Sequence, residues 1–256
     1  MQNFSLSKRQ RHILQILRSK QPVSIRELSL CAQVSDSTLR RELQTLITIG
    51  LVIRQSGKVQ MIYPSNVEHP FLLRTSLNDD EKRRIARRAL DLVRNGETVF
   101  IAGGTTTLEF ARLLPGQRRI TVITNALPVA NAVVGDRNIK LVLLGGEVRW
   151  DEQTMHGHLT LFGIEQLRAD KLFYGIEAIS LEHGLTHSQL VEVSTDRALI
   201  NACTQNIVLA DHTKFGKVAS AVVVPVSQVH TMVTGRELAL ELIEGLHFQN
   251  VQVILV

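Results

Sequence analysis

Three apolar stripes with helical spacing follow one another in the first fifty residues. Their members are Leu6, Ile13, Ile16 and Leu17, then Ile25, Leu28 and Ala32, then Leu39, Leu43 and Leu46. Residues spaced i, i+4 and i+7 lie on one face of an α-helix, so each stripe predicts a helix with a buried face. Pro22 separates the first two helices, Ser24 and Ser35 can cap the second and third, and Gly50 follows as a stop. This succession predicts a helix-turn-helix.

The outward face of the third predicted helix carries side chains suited to DNA. These polar residues are Ser35, Ser37, Thr38, Arg40, Arg41 and Gln44. Arginine can form two hydrogen bonds to guanine, glutamine can do so to adenine, and hydroxyls bind phosphate oxygens. Any amphipathic surface helix also has polar residues outside, so this helix alone favours a structural role. Its neighbours in the chain favour DNA binding.

Two β-prone runs follow the third helix. Residues 51–54 and 59–63 flank Ser56-Gly57-Lys58, which predicts a hairpin. A hairpin after a helix-turn-helix makes a winged helix, and we expect Arg54 and Lys58 to touch the DNA backbone.

Positive charge is concentrated in the same region. Residues 1–62 hold 10 Lys and Arg against 3 Asp and Glu, a net charge of +7, whereas the remaining residues hold 19 against 21, a net charge of −2. A local positive field attracts the phosphate backbone through counterion release. Cationic clusters also occur on proteins that bind no nucleic acid, but stripe, wing and charge together favour DNA.

Composition predicts a cytoplasmic globular protein. The 256 residues are enough for two domains, with 44% hydrophobic and 21% charged residues. Polar and basic residues surround the few leucines of the N-terminus, unlike a secretory signal, and no apolar run approaches the ~20 residues that span a bilayer, so we expect no membrane association. Cys31 and Cys203 lack metal spacing and are interpreted as thiols in a reducing compartment.

The second half of the chain alternates strands, turns and helices. Strand-like runs cover residues 98–101, 120–124, 139–144, 171–176 and 206–210, with helices predicted after the first two. This rhythm predicts a Rossmann-like α/β domain with a mostly parallel sheet. Glu192, Arg197 and nearby apolar residues are interpreted as a packing helix, with Glu192 as an alternative pocket residue.

A connector rich in turn-forming residues divides the two halves. Pro64 and Pro70 break the periodicity, so we place a DNA-binding domain at 1–63, a linker at 64–80, and a second domain at 81–256. We expect Asn78 to cap a helix with Glu81 completing a capping box. The basic face of this helix is interpreted as solvated or as an interdomain contact in preference to a DNA contact; it contains Lys82, Arg83, Arg84, Arg87 and Arg88.

Polar sequences follow the predicted strands, where ligands bind in such folds. The candidate effector-binding residues are Gly103, Gly104, Thr105, Thr106, Thr124, Asn125, Gly145, Gly146, Glu147, Asp211 and Lys214. Glycines allow close backbone approach, and a helix N-terminus after them suits a phosphate. The turn matches neither GxxxxGK[ST] nor GxGxxG, and alone it is more often a tight connection. The convergence of these residues predicts a phosphate pocket, with Lys214 neutralising phosphate and Asp211, Asn125 and Glu147 binding sugar hydroxyls.

Taken in order, these motifs resemble the DeoR family of bacterial transcriptional regulators over nearly the whole chain. The matching segments are 34–35 with 38–43, 81–82 with 85–86, 104–106, 124–125, 145–147 with Arg149, 184–186 and 210–216. The resemblance implies a winged helix-turn-helix joined to a sensor related to sugar-phosphate isomerases. It also implies a homo-oligomer, a dimer or tetramer, that represses a sugar operon until a phosphorylated sugar or related metabolite releases it from operator DNA.

Two positions depart from the family pattern. The family commonly has Asp two positions before its Gly-Thr-Thr, where this chain has Ala102, so one expected carboxylate contact to the effector is missing. The usual paired glycines of the wing are replaced by Gln55-Ser56-Gly57-Lys58.

A sugar-phosphate isomerase is the rival interpretation. Isomerisation needs a positioned base and a group that stabilises the enediolate. Glu177, Glu192, Asp211 and Lys214 offer suitable groups, but residues 174–178 lack the acidic cluster of that enzyme, and its Lys-Gly-rich motif is not found. Ligand binding without turnover is therefore favoured.

Histidines suggest a metal site only weakly. His156, His158, His183 and His187 could converge on a cation, but they lack zinc-type spacing and isolated loop histidines usually bind water or neighbours. We predict no required metal and no cofactor.

Overall fold

A computed structural model describes residues 6–62, 71–75 and 77–256. The chain divides into two compact units, Met1–Leu77 and Asn78–Val256. Residues 64–70 and 76 of the predicted linker, including both of its prolines, lie outside the described residues. None of the helices described is long and apolar enough to cross a membrane.

The first unit is a three-helix bundle with a small sheet. Its elements are α1 Lys8–Ser19, β1 Val23–Ser24, α2 Ile25–Ala32, α3 Asp36–Thr48, β2 Val52–Gln55, β3 Lys58–Met61 and α4 Phe71–Arg74. The three strands are antiparallel in the order β1-β3-β2. The predicted helix-turn-helix and wing are confirmed, and α4 adds Leu73 to the core within the stretch predicted as linker.

The predicted leucine stripe buries α3 in this bundle. Leu39, Leu43 and Leu46 are at most 3% exposed, and they pack with residues from α1, α2 and the wing. Ser35 caps the helix, because its Oγ accepts a hydrogen bond from the Thr38 N–H at 3.3 Å. One face of α3 is thus fixed, which leaves the opposite face to solvent.

The second unit is an α/β domain built on a parallel sheet. Its helices are α5 Asp79–Leu90, α6 Thr105–Leu113, α7 Leu127–Val133, α8 His158–Glu165, α9 Leu190–Ala202 and α10 Leu240–Phe248, with 3₁₀ turns at His212–Lys214 and Val226–Gln228. Its strands are β4 Thr98–Ile101, β5 Ile120–Thr124, β6 Ile139–Leu143, β7 Glu147–Arg149, β8 Thr154–His156, β9 Ala169–Tyr174, β10 Ala178–Ser180, β11 Gly184–His187, β12 Cys203–Leu209, β13 Ala221–Val224, β14 Thr231–Thr234 and β15 Gln252–Leu255.

Seven of these strands form one sheet in the order β15-β14-β12-β9-β4-β5-β6. Every neighbouring pair in it is parallel, which confirms the predicted sheet. Helices cover both faces: α5, α6 and α7 pack on one, and α8, α9 and α10 on the other. Burial on both faces explains why the central strands are almost continuously apolar. The carboxyl ends of all seven strands therefore lie along one edge.

Two small antiparallel sheets lie outside the main one. Strands β7 and β8 form a hairpin after β6, and β10, β11 and β13 form a three-stranded sheet. These strands have three or four residues each, too few to show a clear alternation in the sequence.

The start of α5 differs from its prediction. Asn78 has a left-handed backbone (φ 52°) and its side chain makes no capping hydrogen bond to the helix. The predicted capping box is therefore wrong. The assignment of a solvated basic face also fails at Lys82, which is 3% exposed, although Arg83, Arg87 and Arg88 are exposed. Both differences have one cause: this end of α5 faces other side chains of the unit.

Candidate functional site

The outer face of α3 presents the predicted DNA-reading residues to solvent. Arg40, Arg41 and Gln44 are exposed, and the described residues offer no hydrogen bond or ion pair to their side chains. Glu42 instead points back and pairs with Arg9 of α1 at 3.3 Å. The exposed side of the helix thus carries two unpaired cations and an amide, which can contact phosphates or base edges.

Hydroxyls at the start of α3 are tied to one another. The Ser35 Oγ lies 3.0 Å from the Ser37 Oγ and 2.9 Å from the Thr38 Oγ1. These hydroxyls can approach a phosphate, but in the structure they stabilise the N-cap of α3. In the wing, Arg54 on β2 and Lys58 on β3 are exposed on either side of the Ser56–Gly57 turn, where Arg54 pairs with Val59 and Lys58 with Gln55.

The predicted effector residues lie at the carboxyl ends of four sheet strands. The loop of Gly103 and Gly104 follows β4, Asn125 follows β5, Gly145 follows β6, and Asp211 comes shortly after β12. With β9 between them, β4 and β12 are two strand spacings apart, about 10 Å. Such a distance suits a small molecule with a phosphate at one end and polar groups at the other.

The glycine loop is closely covered by the β7–β8 hairpin. A Cβ on Gly103 would lie 2.3 Å from the Thr154 Cγ2. The Asn125 Nδ2 donates to the Met155 carbonyl at 3.0 Å, which ties the end of β5 to the same hairpin. The loop and the hairpin therefore form one packed unit at the start of α6, where the buried Thr105 and Thr106 begin the helix.

We predict that Gly103→Ala weakens phosphate binding and lowers stability, because the new methyl meets the Thr154 methyl. Overpacking of this kind costs about 1–3 kcal/mol. Thr154→Ser removes that methyl and keeps the hydroxyl that lies 2.7 Å from the His156 Nε2. Gly103→Ala with Thr154→Ser should therefore recover thermal stability and phosphate binding, measured by thermal unfolding and calorimetry. Failure of the second change to restore either would contradict the contact.

Several of the predicted residues also hold the loops together. The Thr124 Oγ1 donates to the Ile101 carbonyl at 2.6 Å and accepts from the Ala126 N–H. Gly146 has φ 156°, and a Cβ there would lie 2.0 Å from the Thr160 Oγ1, so this turn requires glycine. Glu147 is exposed on β7.

Asp211 is the centre of a buried hydrogen-bond cluster. Its Oδ1 accepts from the Asn78 Nδ2 at 2.9 Å and from the Thr213 N–H and Oγ1 at 3.1 and 2.5 Å. Burial alone would raise the pKa of Asp211, but the Thr213 hydrogen bond and the charges of Lys82 and Lys214 outweigh it and hold this pKa below its ordinary value. Asp211 is thus a charged acceptor with two cations nearby.

Glu81 fixes the turn that carries these groups. Its Oε1 accepts from the backbone N–H of His212 at 2.8 Å and of Gly235 at 3.2 Å, and its Oε2 lies 2.7 Å from the His212 Nδ1. Asn78, Glu81 and Lys82 belong to this cluster, although none of them was predicted as a site residue from the sequence. The first two were assigned to a helix cap and the third to a solvated face or an interdomain contact.

Glu81, Asp211 and His212 also place potential ligand atoms within 4.8 Å of one another. The Glu81 carboxylate is already bonded to the His212 ring and two backbone amides, and Asp211 faces two lysine charges. We therefore assign this cluster to hydrogen bonding. Of the four histidines considered from the sequence, His156 is buried, His158 and His183 are exposed, and the His187 Nδ1 lies 3.1 Å from Glu177.

A second polar network connects the hairpin to α9. The His156 ring lies between Thr154 and Thr195, with its Nε2 3.3 Å from the Glu192 Oε1. Arg149 also donates to the Glu192 Oε1 at 3.0 Å. Burial would raise the pKa of Glu192, but the hydrogen bond and charge of His156, with the charges of His187 and Arg149, lower it.

The pKa of Asp196, one helical turn after Glu192, is shifted in the opposite direction. Burial, followed by the negative charge of Glu192, raises the pKa of Asp196 well above its ordinary value. The neighbouring Tyr174 is 1% exposed, and burial and the charge of Asp196 raise its pKa as well. The network thus pairs an ionised Glu192 with an Asp196 that favours its proton.

We predict that Asp196→Asn stabilises the protein at neutral and higher pH. A raised pKa means that the folded state keeps a proton that the unfolded chain releases above about pH 4, so the stability contribution of Asp196 falls as pH rises from there to the folded pKa. Asparagine has no such penalty. The melting temperature should exceed that of the unmodified protein by several degrees at pH 8 and approach it near pH 3. The exposed Glu165→Gln is the control; a lower melting temperature at pH 8 for Asp196→Asn would contradict the assignment.

Both units match models of known protein families. The model described as DeoR-like helix-turn-helix domain matches residues 9–64, and the one described as DeoR C terminal sensor domain matches residues 77–236.

Curated relatives match over most of their length. The glycerol-3-phosphate regulon repressor of Escherichia coli strain K12 is 33% identical over 88% of this chain and 90% of its own. The putative aga operon transcriptional repressor of Escherichia coli O157:H7 is 29% identical over 98% and 94%. The HTH-type transcriptional regulator IolR of Bacillus subtilis strain 168 is 31% identical over 84% and 86%. These names indicate a regulator of transcription and disfavour the isomerase interpretation.

Proposed function

This chain belongs to the DeoR family of transcriptional regulators, and we propose that it represses a carbohydrate operon until a phosphorylated sugar or related metabolite releases it from operator DNA. The observation that carries the proposal is the outer face of α3, where Arg40, Arg41 and Gln44 are exposed and bonded to none of the residues described, while the leucine stripe is buried. The relatives named as repressors of the aga operon and of the glycerol-3-phosphate regulon support the assignment to carbohydrate metabolism.

Two groups of residues contact DNA: one reads the base edges and the other positions the protein on the phosphates. Arg40, Arg41 and Gln44 contact base edges in the major groove, and the hydroxyls of Ser37 and Thr38 contact phosphates near the start of α3. Arg54 and Lys58 of the wing contact the backbone beside the groove. Phosphate contacts set affinity, and base contacts set the operator sequence.

The effector phosphate binds at the N-terminus of α6. The amide groups and the two threonine hydroxyls there are donors, and the helix dipole favours an anion. Lys214 adds a positive charge from the turn after β12, and Asp211 accepts hydrogen bonds from the sugar hydroxyls. The hydrogen bonds found among the described residues leave the Thr105 and Thr106 hydroxyls available.

Release from DNA follows from a shift in population. The protein acts in the cytoplasm as a dimer or tetramer whose recognition helices occupy half-sites about one DNA turn, roughly 34 Å, apart. The effector binds more tightly to the arrangement that cannot hold two half-sites at once. It lowers DNA affinity only as far as its affinities for the two arrangements differ.

The test is a fluorescence anisotropy titration of DNA from upstream of the adjacent operon, with and without sugar phosphates. The panel contains glucose 6-phosphate, glucosamine 6-phosphate and glycerol 3-phosphate, with inorganic phosphate for comparison. We expect specific binding that at least one sugar phosphate weakens. Specific binding that no phosphate changes would reject the effector assignment and leave the DNA-binding assignment standing.

A further inference from the structure

Tyr174 and Asp196 are buried polar groups that the DNA-binding and phosphate-binding roles do not use. The hydroxyl of Tyr174 is buried and has no hydrogen-bond partner among the described residues, and none of these residues forms a hydrogen bond that offsets the burial of Asp196. A buried polar group without a partner costs about 1–3 kcal/mol, so folded proteins rarely retain one without a reason. Two such groups close together indicate a place for a third, polar group.

The position of this pair connects it with the effector site. Tyr174 is the last residue of β9, the strand between the one that leads to Gly103 and the one that leads to Asp211. Asp196 lies on α9 between Val193 and Ile200, on the helix face whose apolar residues pack in the same cluster as Tyr174, and its charge raises the pKa of Tyr174. Both side chains belong to the face of the sheet covered by α8, α9 and α10.

A chain of contacts leads from the glycine loop to the same pair. Gly103 packs against Thr154, whose hydroxyl lies 2.7 Å from His156, and His156 contacts Glu192. Arg149 and His156 thus hold the first carboxylate of α9. The second carboxylate, Asp196, is left for another donor.

We propose that Tyr174 and Asp196 form a subsite that receives a hydrogen-bond-donating group, a hydroxyl or an amine, on the end of the effector remote from its phosphate. This inference rests on the proposed function, because it assumes a phosphate at the start of α6. A hydroxyl can donate to the Asp196 carboxyl or accept from the Tyr174 hydroxyl, and a protonated amine pairs with Asp196 and displaces its proton to solvent.

A carboxylate or an apolar group at the remote end of the effector suits this subsite less well. A carboxylate is repelled by Glu192, which its neighbours keep ionised one helical turn before Asp196. An apolar end offers no hydrogen bond to the Tyr174 and Asp196 oxygens. A site built to bond a hydroxyl discriminates strongly against an analogue that lacks it, for the same reason.

The test compares six-carbon phosphates that differ at the remote end. Calorimetry with the full chain uses glucitol 6-phosphate, 6-aminohexyl phosphate, 6-phosphogluconate, hexyl phosphate and inorganic phosphate. We expect the first two to bind more tightly than the next two by about tenfold or more. Tyr174→Phe and Asp196→Leu should remove this preference and leave the affinity for inorganic phosphate unchanged. Asn201→Ala, an exposed change on the same helix, should behave like the unmodified protein.

Asp196→Asn separates the two donor groups. An amide still bonds to a hydroxyl but cannot pair with an ammonium, so only 6-aminohexyl phosphate should bind more weakly. For that ligand, titration in buffers of different ionisation enthalpy should show proton release by the unmodified protein. Its absence would assign the subsite to hydroxyls.

Three results would overturn the subsite. If Tyr174→Phe and Asp196→Leu changed no affinity, an internal water would be the occupant. If they weakened every ligand alike, inorganic phosphate included, the pair would be structural. If the unmodified protein bound none of the phosphates, the effector assignment itself would fall together with the subsite.

Discussion

Replacing both Arg40 and Arg41 with alanine is expected to weaken operator binding by about a hundredfold or more, because a well-placed base contact is worth roughly 1–3 kcal/mol. Both side chains are exposed on α3 and bonded to no described residue, so their removal should cost the fold little. Fluorescence anisotropy with operator DNA measures the loss. Titrations at several salt concentrations show whether it comes from base contacts or from phosphate contacts, since only the latter reduce the salt dependence.

A matched control for this pair lies in the second unit. Arg87 is exposed on α5, and Arg87→Ala removes the same charge and a similar side chain away from the recognition helix. We expect unchanged DNA affinity for this variant and unchanged phosphate binding for both variants. If the double change left operator affinity intact, our placement of the reading face on α3 would be wrong.

The fold of the first unit could be predicted from the sequence because each stripe of apolar residues at helical spacing is compatible with one structure, a helix buried on that face. A stripe at i, i+4 and i+7 makes a helix, and only one face of α3 could be buried once Leu39, Leu43 and Leu46 were assigned to it. The outward position of Arg40 and Arg41 follows from that burial. In this small domain of short helices, the spacing of the apolar residues was therefore enough to predict both the fold and the candidate DNA-reading face.

The second unit was less predictable because its site combines residues far apart in sequence. Glu81 follows a plausible helix start, and local rules assign such a residue to a capping box. It instead accepts hydrogen bonds from His212 and Gly235, more than 130 residues later. Nothing in the local pattern distinguishes the two roles, although the resemblance to the family had singled out segment 81–82.

The roles of Glu192 and Asp196 on α9 could not be predicted from the sequence for a similar reason. The helix is apolar enough to suggest packing, and that interpretation holds for Val193, Leu199 and Ile200. The alternative that Glu192 faces a pocket could not be decided from sequence, because its partners His156 and Arg149 lie on the β7–β8 hairpin, which was not predicted. Ala102, one of the two departures from the family pattern, is buried at the end of β4 and supplies no carboxylate there.

Lys214→Met is expected to give a repressor that binds operator DNA normally and responds poorly to phosphorylated sugars. Lys214 lies in the turn after β12, where its charge helps to lower the pKa of Asp211, so it provides positive charge beside the proposed effector. A charge-assisted hydrogen bond is worth about 1.5–3 kcal/mol, so the concentration needed for release should rise roughly ten- to hundredfold. The measurement is anisotropy of labelled operator DNA during titration with glucose 6-phosphate, glucosamine 6-phosphate and glycerol 3-phosphate.

The control for this change is Lys217→Met, three residues further along the chain, where the side chain is exposed. It removes an equal charge from the same loop, so a general loss of positive potential would affect both variants alike. We expect the Lys217 variant to release DNA at the same metabolite concentration as the unmodified protein, because screening weakens an exposed charge that does not touch the ligand. Equal responses from the two variants would show that Lys214 makes no direct contact with the phosphate. Loss of DNA binding by the Lys214 variant alone would mean that this lysine supports the DNA-bound arrangement, and the phosphate would then have to be held by the α6 N-terminus without it.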